Sequence, residues 1–287
     1  MDKTPAFIAR SVLFVPADRP DRYAKALDSG ADLVCVDLED AIARENKAKA
    51  RGAVAGFFKT TQKSDARRAL RINSLSTLDG LKDVLHLATQ HIRPDIILLP
   101  KTTCASEVRS LDLLLNEIGL DCPIIAIIET AEGLDNASEI AMSPRVVAIC
   151  FGSADYSAEA GSGMQWDALH YARGRIVQAA ARAGVLALDG AWLAIADMEG
   201  LAVESSRLPG IGFDGRVVIH PAQIATVHKA FQPAATDIER AGQIMLAVQS
   251  QGGSVIAVDG RMVDRPVILW AQRILACASR GTSHGIG

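Results

Sequence analysis

Short apolar runs recur eight times along the chain, at residues 11–15, 33–38, 69–72, 96–100, 124–129, 146–151, 185–188 and 217–220. Each is rich in β-branched residues and alternates little with polar ones, as expected of parallel strands covered on both faces. The stretches between them carry apolar residues at helical spacing, at 21–27, 45–58, 78–88, 106–117, 136–141, 168–183, 197–205 and 222–230. Thr77 stands where a helix N-cap belongs, and Pro20 and Pro221 suit first helical turns. Strand–helix units in such a series predict an α/β fold, a (β/α)8 TIM barrel over residues 1–231. A doubly wound open sheet is the alternative. Against it, Pro16-Ala17-Asp18-Arg19-Pro20 follows the first run, where such a sheet would carry a glycine-rich phosphate loop.

Residues 232–287 predict a C-terminal helix–strand–helix extension: helix 236–250, a turn at Gly252-Gly253, strand 255–258, helix 266–278 and a frayed end from Gly281. So small a segment carries little core of its own, and is expected to pack back on its barrel or to cross to a neighbouring subunit.

Composition narrows the function classes. With 49% hydrophobic and 22% charged residues in 287, the chain suits a globular enzyme-sized barrel. A net charge of -3 without a basic stripe argues against a nucleic-acid partner. No apolar run approaches the roughly 18 residues of a membrane span. The first ten residues are too short and polar for a signal peptide, which points to a cytoplasmic protein or one in an organelle interior. The five cysteines have no close pair, so neither a disulfide frame nor a zinc site is expected; Cys35 and Cys150 read as buried thiols.

Active residues of such barrels sit at the C-terminal ends of strands. Glu129 and Asp155 follow two consecutive apolar runs and could converge. Two converging carboxylates need a cation or a shared proton, and Mg²⁺ typically takes one or two protein carboxylates plus water. Glu39 and Asp40 would then hold metal-bound waters. The alternative is that Glu129 caps the next helix and Asp155 starts a loop. Arg71, leaving an apolar run, is either a fork for a substrate carboxylate or enolate oxygen, or a structural partner of Glu39 or Asp37. Lys101 either does similar work or braces the acids; a Schiff base on it is the alternative to the more economical metal route that paired carboxylates offer. His220 reads first as a satisfied core histidine before a helix rather than a catalyst. Ala131, Glu132 and Gly133 open a helix, and their amides could take a carboxylate. Met164 and Trp166 stand as pocket-lining candidates, with plain packing the alternative for Trp166. Neither a GxSxG elbow nor an HExxH pair occurs.

Taken in order, these stretches resemble the citrate lyase β-subunit-like branch of the HpcH/HpaI aldolase family. They include Arg10-Ser-Val-Leu-Phe-Val-Pro-Ala17, Val36-Asp-Leu-Glu-Asp-Ala41 with Lys47 and Arg51, Arg71-Ile-Asn73 and Leu99-Pro-Lys101. They continue through Ile128-Glu-Thr-Ala-Glu-Gly133, Gly152-Ser-Ala-Asp155, Gly212-Phe-Asp-Gly215, Ile219-His-Pro221 and Val258-Asp-Gly-Arg-Met-Val-Asp264. The resemblance implies Mg²⁺ ligands at Glu129 and Asp155, outer acids at Glu39 and Asp40, and a substrate-binding arginine at Arg71. It implies a catalytic acid at Asp264 that reaches a neighbour's site, and a homotrimer or dimer of trimers with the tail as an exchanged lid. In members that use coenzyme A the first βα loop helps bind it, and here Arg19, Arg22 and Lys25 offer the charge.

The expected activity is cleavage of a 3-hydroxy-dicarboxylyl-CoA, such as malyl-CoA or citramalyl-CoA, into a 2-oxo acid and an acyl-CoA. In it the metal stabilises an alkoxide, Arg71 the enolate oxygen, and Asp264 moves the proton. Three alternatives remain open. They are a citrate lyase β-subunit acting on a carrier-bound citryl group, a malyl-CoA-type thioesterase, and a non-catalytic paralogue binding a 2-oxo acid or CoA ester.

Overall fold

The computed structural model describes residues 9–251, 256–258 and 261–282. The chain divides into two compact units that meet at Ala230–Phe231. In the first unit β1 (Ser11–Pro16), β2 (Leu33–Asp37), β3 (Arg67–Arg71), β4 (Ile96–Leu99), β5 (Ile124–Ile128), β6 (Val146–Phe151), β7 (Leu186–Asp189) and β8 (Gly215–Val218) form a closed barrel in sequence order. Every neighbouring pair is parallel, and β1 closes on β8 with Val12 opposite Val217. The helices of this unit are α1 (Tyr23–Leu27), α2 (Lys47–Phe58), α3 (Leu78–Thr89), α4 (Ala105–Glu117), α5 (Ala131–Asp135), α6 (Ala137–Ala141), α7 (Ser153–Ala160), α8 (Trp166–Ala183), α9 (Met198–Ile211) and α10 (Ile224–Ala230).

The expected barrel is therefore present, with boundaries shifted by a residue or two. Thr77 caps α3 as expected, accepting the Gly80 N–H on its hydroxyl. Pro20 and Pro221 each open a short 3-10 turn. Two local readings change. α7 stands directly after β6, where the sequence predicts a loop. α9 runs past the expected end at residue 205 and carries Pro209 in its last turn, stopping at Gly212 in a left-handed conformation.

Strand side chains alternate between two faces. Val12, Leu33, Cys35, Ala69, Ile96, Leu98, Ile125, Ile127, Ala148, Cys150, Leu186, Leu188 and Val217, two apart within each strand, form one buried cluster with Phe14 packed against it. That cluster fills the barrel in side-chain layers. One step further along each inward row lie Asp37, Arg71, Glu129, Gly152, Gly190 and Ile219. The mouth is thus built by continuing an apolar pattern by one more alternate position.

The second unit contains α11 (Ala235–Gln251), β9 (Ile256–Val258), β10 (Arg261–Val263) and α12 (Arg265–Thr282). It has a small core of its own, Ala241, Ile244, Val263 and Ala271. β9 and β10 pair antiparallel, with Val258 opposite Arg261. Only the first of these strands is expected from the sequence. The expected turn at Gly252-Gly253 lies outside the described residues, and the expected frayed end overlaps α12 up to Thr282. Among the described residues no helix is long and apolar enough to cross a membrane.

Candidate active site

Glu129 sits one residue past β5, is 3% exposed, and accepts the Lys101 N–H at 2.6 Å on Oε1. Lys101 delivers that N–H from a left-handed backbone, φ 51°. The Glu129 side chain then lies over Gly152, where a Cβ would collide with it. Only glycine fits there. Asp155, in the first turn of α7, lies within hydrogen-bonding reach of the Glu129 carboxyl. Burial, the nearby Glu39 charge and that contact push the Glu129 pKa up to about 8. The expected convergence of these two acids is what the structure shows. The cap of α5 is Thr130, whose hydroxyl accepts the Gly133 N–H at 3.0 Å, so Glu129 is not the helix cap.

Arg71 sends its fork to Asp37, Nε to Oδ1 at 2.7 Å and Nη2 to Oδ2 at 2.6 Å, and its Nη1 reaches Glu39 at 2.9 Å. Its guanidinium also stacks 4.7 Å from the Phe14 ring centre. Both acids named as structural alternatives therefore hold Arg71. Lys101 Nζ bridges Glu39 at 2.6 Å and Asp40 at 3.1 Å. Burial raises the Glu39 pKa. At Asp40, burial acts upward but is outweighed by the hydrogen bonds to Glu39 and Lys101, so its pKa is lowered.

A second row of contacts fixes this acidic loop. Lys47 Nζ donates to the Leu38 and Glu39 carbonyls at 2.7 and 2.6 Å and to Asn73 Oδ1 at 2.7 Å. Asn73 leans on Asp83, which Arg51 holds at 2.6 Å. Asp83 was not marked by the sequence. It lies on the inner face of an ordinary amphipathic helix, and only a buried polar residue in that stripe hints at its role.

Two cavities meet at Phe14, Arg71 and Ile219. One, of about 550 Å³, runs past Pro16, Arg22, Lys25 and His220. The other, of about 240 Å³, holds Glu129 and Asp155 and is otherwise walled mainly by Ile127, Cys150, Phe151, Val217 and Ile219. Of the three basic residues expected to bind coenzyme A, Arg22 and Lys25 line the first cavity, whereas half-buried Arg19 pairs with Asp21 at 2.7 Å. His220 is exposed and caps the turn at Pro221, its Nδ1 accepting the Ala222 N–H at 3.1 Å. It is a cap rather than a core histidine. The expected carboxylate site at Ala131, Glu132 and Gly133 is partly filled from within. The Ala131 N–H donates to Glu159 at 3.2 Å, and that of Gly133 to Thr130. Met164 and Trp166 do not line the Glu129 cavity. Trp166 instead stacks with Arg173 and Arg207, 4.7 and 5.3 Å from its ring centre. Asp264 belongs to the second unit, where its carbonyl accepts the Ile268 N–H.

The donor set fits a hard divalent cation. Asp37, Glu39 and Asp40 pair with Arg71 and Lys101, and the carboxyl groups of Glu129 and Asp155 line the cavity beside them. The Glu129–Asp155 contact demands a proton or a metal ion. Among the described residues no group of three or more acidic, histidine or cysteine side chains is arranged to hold a metal unaided. Two carboxylates with water and substrate completing the shell is the usual magnesium pattern.

Residues 10–221 match the family described as HpcH/HpaI aldolase/citrate lyase, and residues 163–285 match a carbon–carbon bond lyase family of the TIM-barrel fold. The (3S)-malyl-CoA thioesterase of Cereibacter sphaeroides is 33% identical over 281 residues, covering 96% of each chain. The crystal structure of CitE from Mycobacterium tuberculosis with magnesium, acetoacetate and coenzyme A superposes with a TM-score of 0.80 at 35% identity, covering 96% of this chain and 99% of that one. A citrate lyase β subunit structure from the same organism, with oxaloacetate and magnesium, gives a TM-score of 0.69 at 36% identity, covering 80% of this chain and 100% of that one.

Proposed function

Since the chain belongs to the HpcH/HpaI aldolase/citrate lyase family, we propose that it is a magnesium-dependent carbon–carbon lyase that splits a 3-hydroxy-dicarboxylyl-CoA such as malyl-CoA or citramalyl-CoA. The observation that carries this reading is the buried Glu129 carboxyl beside half-buried Asp155, both lining a cavity that shares Phe14, Arg71 and Ile219 with a larger one edged by Arg22 and Lys25. Glu129 and Asp155 would hold the ion, with Glu39, Asp40 and Lys101 as the outer polar groups around it. Bound Mg²⁺ supplies Lewis acidity at the oxygen that becomes the oxo group. A substrate carboxylate replaces Glu159 on the Ala131 amide, with Glu132 and Gly133 shaping that turn. Arg71, held flat by Asp37, offers its remaining N–H groups to the enolate oxygen. The thioester arm lies along the larger cavity, with Arg22 and Lys25, and Arg19 once released from Asp21, near its phosphates. Asp264 of a neighbouring copy in a homotrimer, or dimer of trimers, moves the proton at the enolate carbon.

A second reading is favoured by the malyl-CoA thioesterase relative: water attacks the thioester at the same site. One experiment separates the two. The purified protein with Mg²⁺ is given malyl-, methylmalyl- and citramalyl-CoA, and oxo acid and free thiol are followed together. The lyase releases glyoxylate or pyruvate without thiol; the thioesterase releases thiol without oxo acid. An Asp264→Ala variant is expected to lose oxo-acid release while keeping Mg²⁺ binding, and wild-type turnover in it rules out the assigned role. Co-purification with further subunits would identify a citrate lyase β-subunit instead.

A further inference from the structure

Resting on that reading, we infer that Asp83, on the inner face of α3, is a positioning residue for the reaction. It fixes which end of the Asn73 amide faces Lys47, and through Lys47 it holds the acidic loop beside Glu129. The chain of contacts starts from a close approach. Gly80 lets α3 pack on the bend after β3, where a Cβ would collide with the Ser74 and Asn73 carbonyl oxygens. Asp83, three residues further along the same buried face, therefore meets Asn73. Its side chain is fully buried. Oδ2 accepts the Asn73 backbone N–H at 2.8 Å and an Nδ2–H of Asn73 at 2.7 Å, while Oδ1 accepts the Arg51 Nε–H at 2.6 Å. A carboxylate only accepts, so the Asn73 NH2 turns toward it and the Asn73 Oδ1 turns away. That oxygen meets Lys47 Nζ at 2.7 Å. The ammonium has three donors, and its other two go to the carbonyls of Leu38 and Glu39 at 2.7 and 2.6 Å. Glu39, held so at its main chain, reaches Arg71 at 2.9 Å and Lys101 at 2.6 Å with its side chain.

An amide at position 83 reverses this order. Asp83→Asn leaves one oxygen where two were in use. Charged Arg51 claims it, because charge-assisted bonds are the stronger ones. An NH2 group then faces Asn73, which turns its oxygen toward α3 and its own NH2 toward Lys47. The ammonium loses an acceptor and faces a donor, and its grip on the Leu38 and Glu39 carbonyls loosens. The fault is one of orientation, so exchanging the two residues repairs it. In Asp83→Asn/Asn73→Asp, a carboxylate at position 73 accepts from the new amide on one side and from Lys47 on the other. Asn73→Asp alone sets two buried carboxylates against each other.

The test is this cycle of variants in the full chain. Mg²⁺ affinity is read by calorimetry and stability by urea denaturation. Turnover is read as oxo-acid release from malyl-CoA or citramalyl-CoA, whichever the wild-type protein cleaves. Asp83→Asn is expected to lower Mg²⁺ affinity and kcat by about tenfold each, the low end for groups that orient a metal's surroundings. KM for the ester should keep its wild-type value, because Lys47, Asn73 and Asp83 do not line the larger cavity. Asn73→Asp should lose as much or more. The double variant should return to within about threefold of wild type, a coupling in kcat that a merely structural pair does not produce. A loss of stability alone, with Mg²⁺ affinity and kcat unchanged, overturns the inference, and so does a double variant no better than Asp83→Asn. If Asp83→Asn does not fold, Asn73→Ser decides: it leaves Asp83 its Arg51 and main-chain partners and takes the acceptor from Lys47. The same losses are expected in it, and wild-type Mg²⁺ affinity and kcat overturn the inference. A wild-type protein that binds no Mg²⁺ removes the lyase reading and this inference together, whereas wild-type-like variants of a protein that does bind it remove the inference alone.

Discussion

Across the mouth of the barrel, β2, β3 and β5 continue their inward rows into Asp37, Arg71 and Glu129, whereas β6, β7 and β8 continue theirs into Gly152, Gly190 and Ile219. In the first set Arg71 grips Asp37 and the neighbouring Glu39 within 3 Å, and Glu129 takes the Lys101 backbone N–H beside them. The second is space bounded by apolar walls. The layers beneath are alike, so the difference comes from one residue position per strand. A shared apolar filling gives the fold, and a single further layer assigns charge handling to one side and shape to the other.

That division can be broken at its charged side first. Arg71→Met strands the buried Asp37 and Glu39 charges, and should cost about 3–5 kcal/mol of stability by urea denaturation. A loss below about 1 kcal/mol would mean that these three charges are not a unit. Glu129→Gln should cut turnover by roughly 10²–10³ and weaken Mg²⁺ binding, read by titration calorimetry, with only a small change in stability because burial already disfavours the charged form. On the apolar side, Val217→Thr keeps volume but buries an unmatched hydroxyl. It should cost about 1–3 kcal/mol and leave Mg²⁺ affinity at the wild-type value. A parallel fall in metal affinity would show that the two sides are coupled.

The smallest effect is a control at the opposite end of the barrel, where Arg10 holds Asp32 at 2.8 Å. Burial pushes the Asp32 pKa upward, but the hydrogen bonds and charge of Arg10 outweigh it, so the folded value is lowered. Its contribution is therefore present above the ordinary carboxylate pKa and is lost as pH falls through the folded one. Arg10→Met should flatten stability between neutral and acid pH by about 1–2 kcal/mol, measured as urea midpoints across that range. Mg²⁺ affinity should not follow.

The barrel was legible because parallel strands covered on both faces leave long apolar runs, and the charges ending those runs stood out against them. Glu129, Asp155 and the acids at 39 and 40 were readable for that reason. What Arg71 touches was not, because Asp37 and Glu39 were equally placed along the sequence and both hold it. The apolar side was invisible, since Phe14, Val217 and Ile219 look like any core residue. α7 escaped notice because its eight residues, Ser-Ala-Asp-Tyr-Ser-Ala-Glu-Ala, show no clear stripe. The second tail strand was missed although Asp259-Gly260 between two apolar runs is a hairpin signal.

The placement of Glu129 two positions beyond Ile127 makes the chemistry of this chain a matter of odd and even. Inserting a single residue between Ile125 and Glu129 would turn the carboxylate outward toward the helix layer and bring a neighbour's side chain into the lumen. Inserting two would return it to the correct side but one storey too high. Laboratory evolution of this scaffold should therefore accept length changes in its loops far more readily than any change in the count of residues along β5.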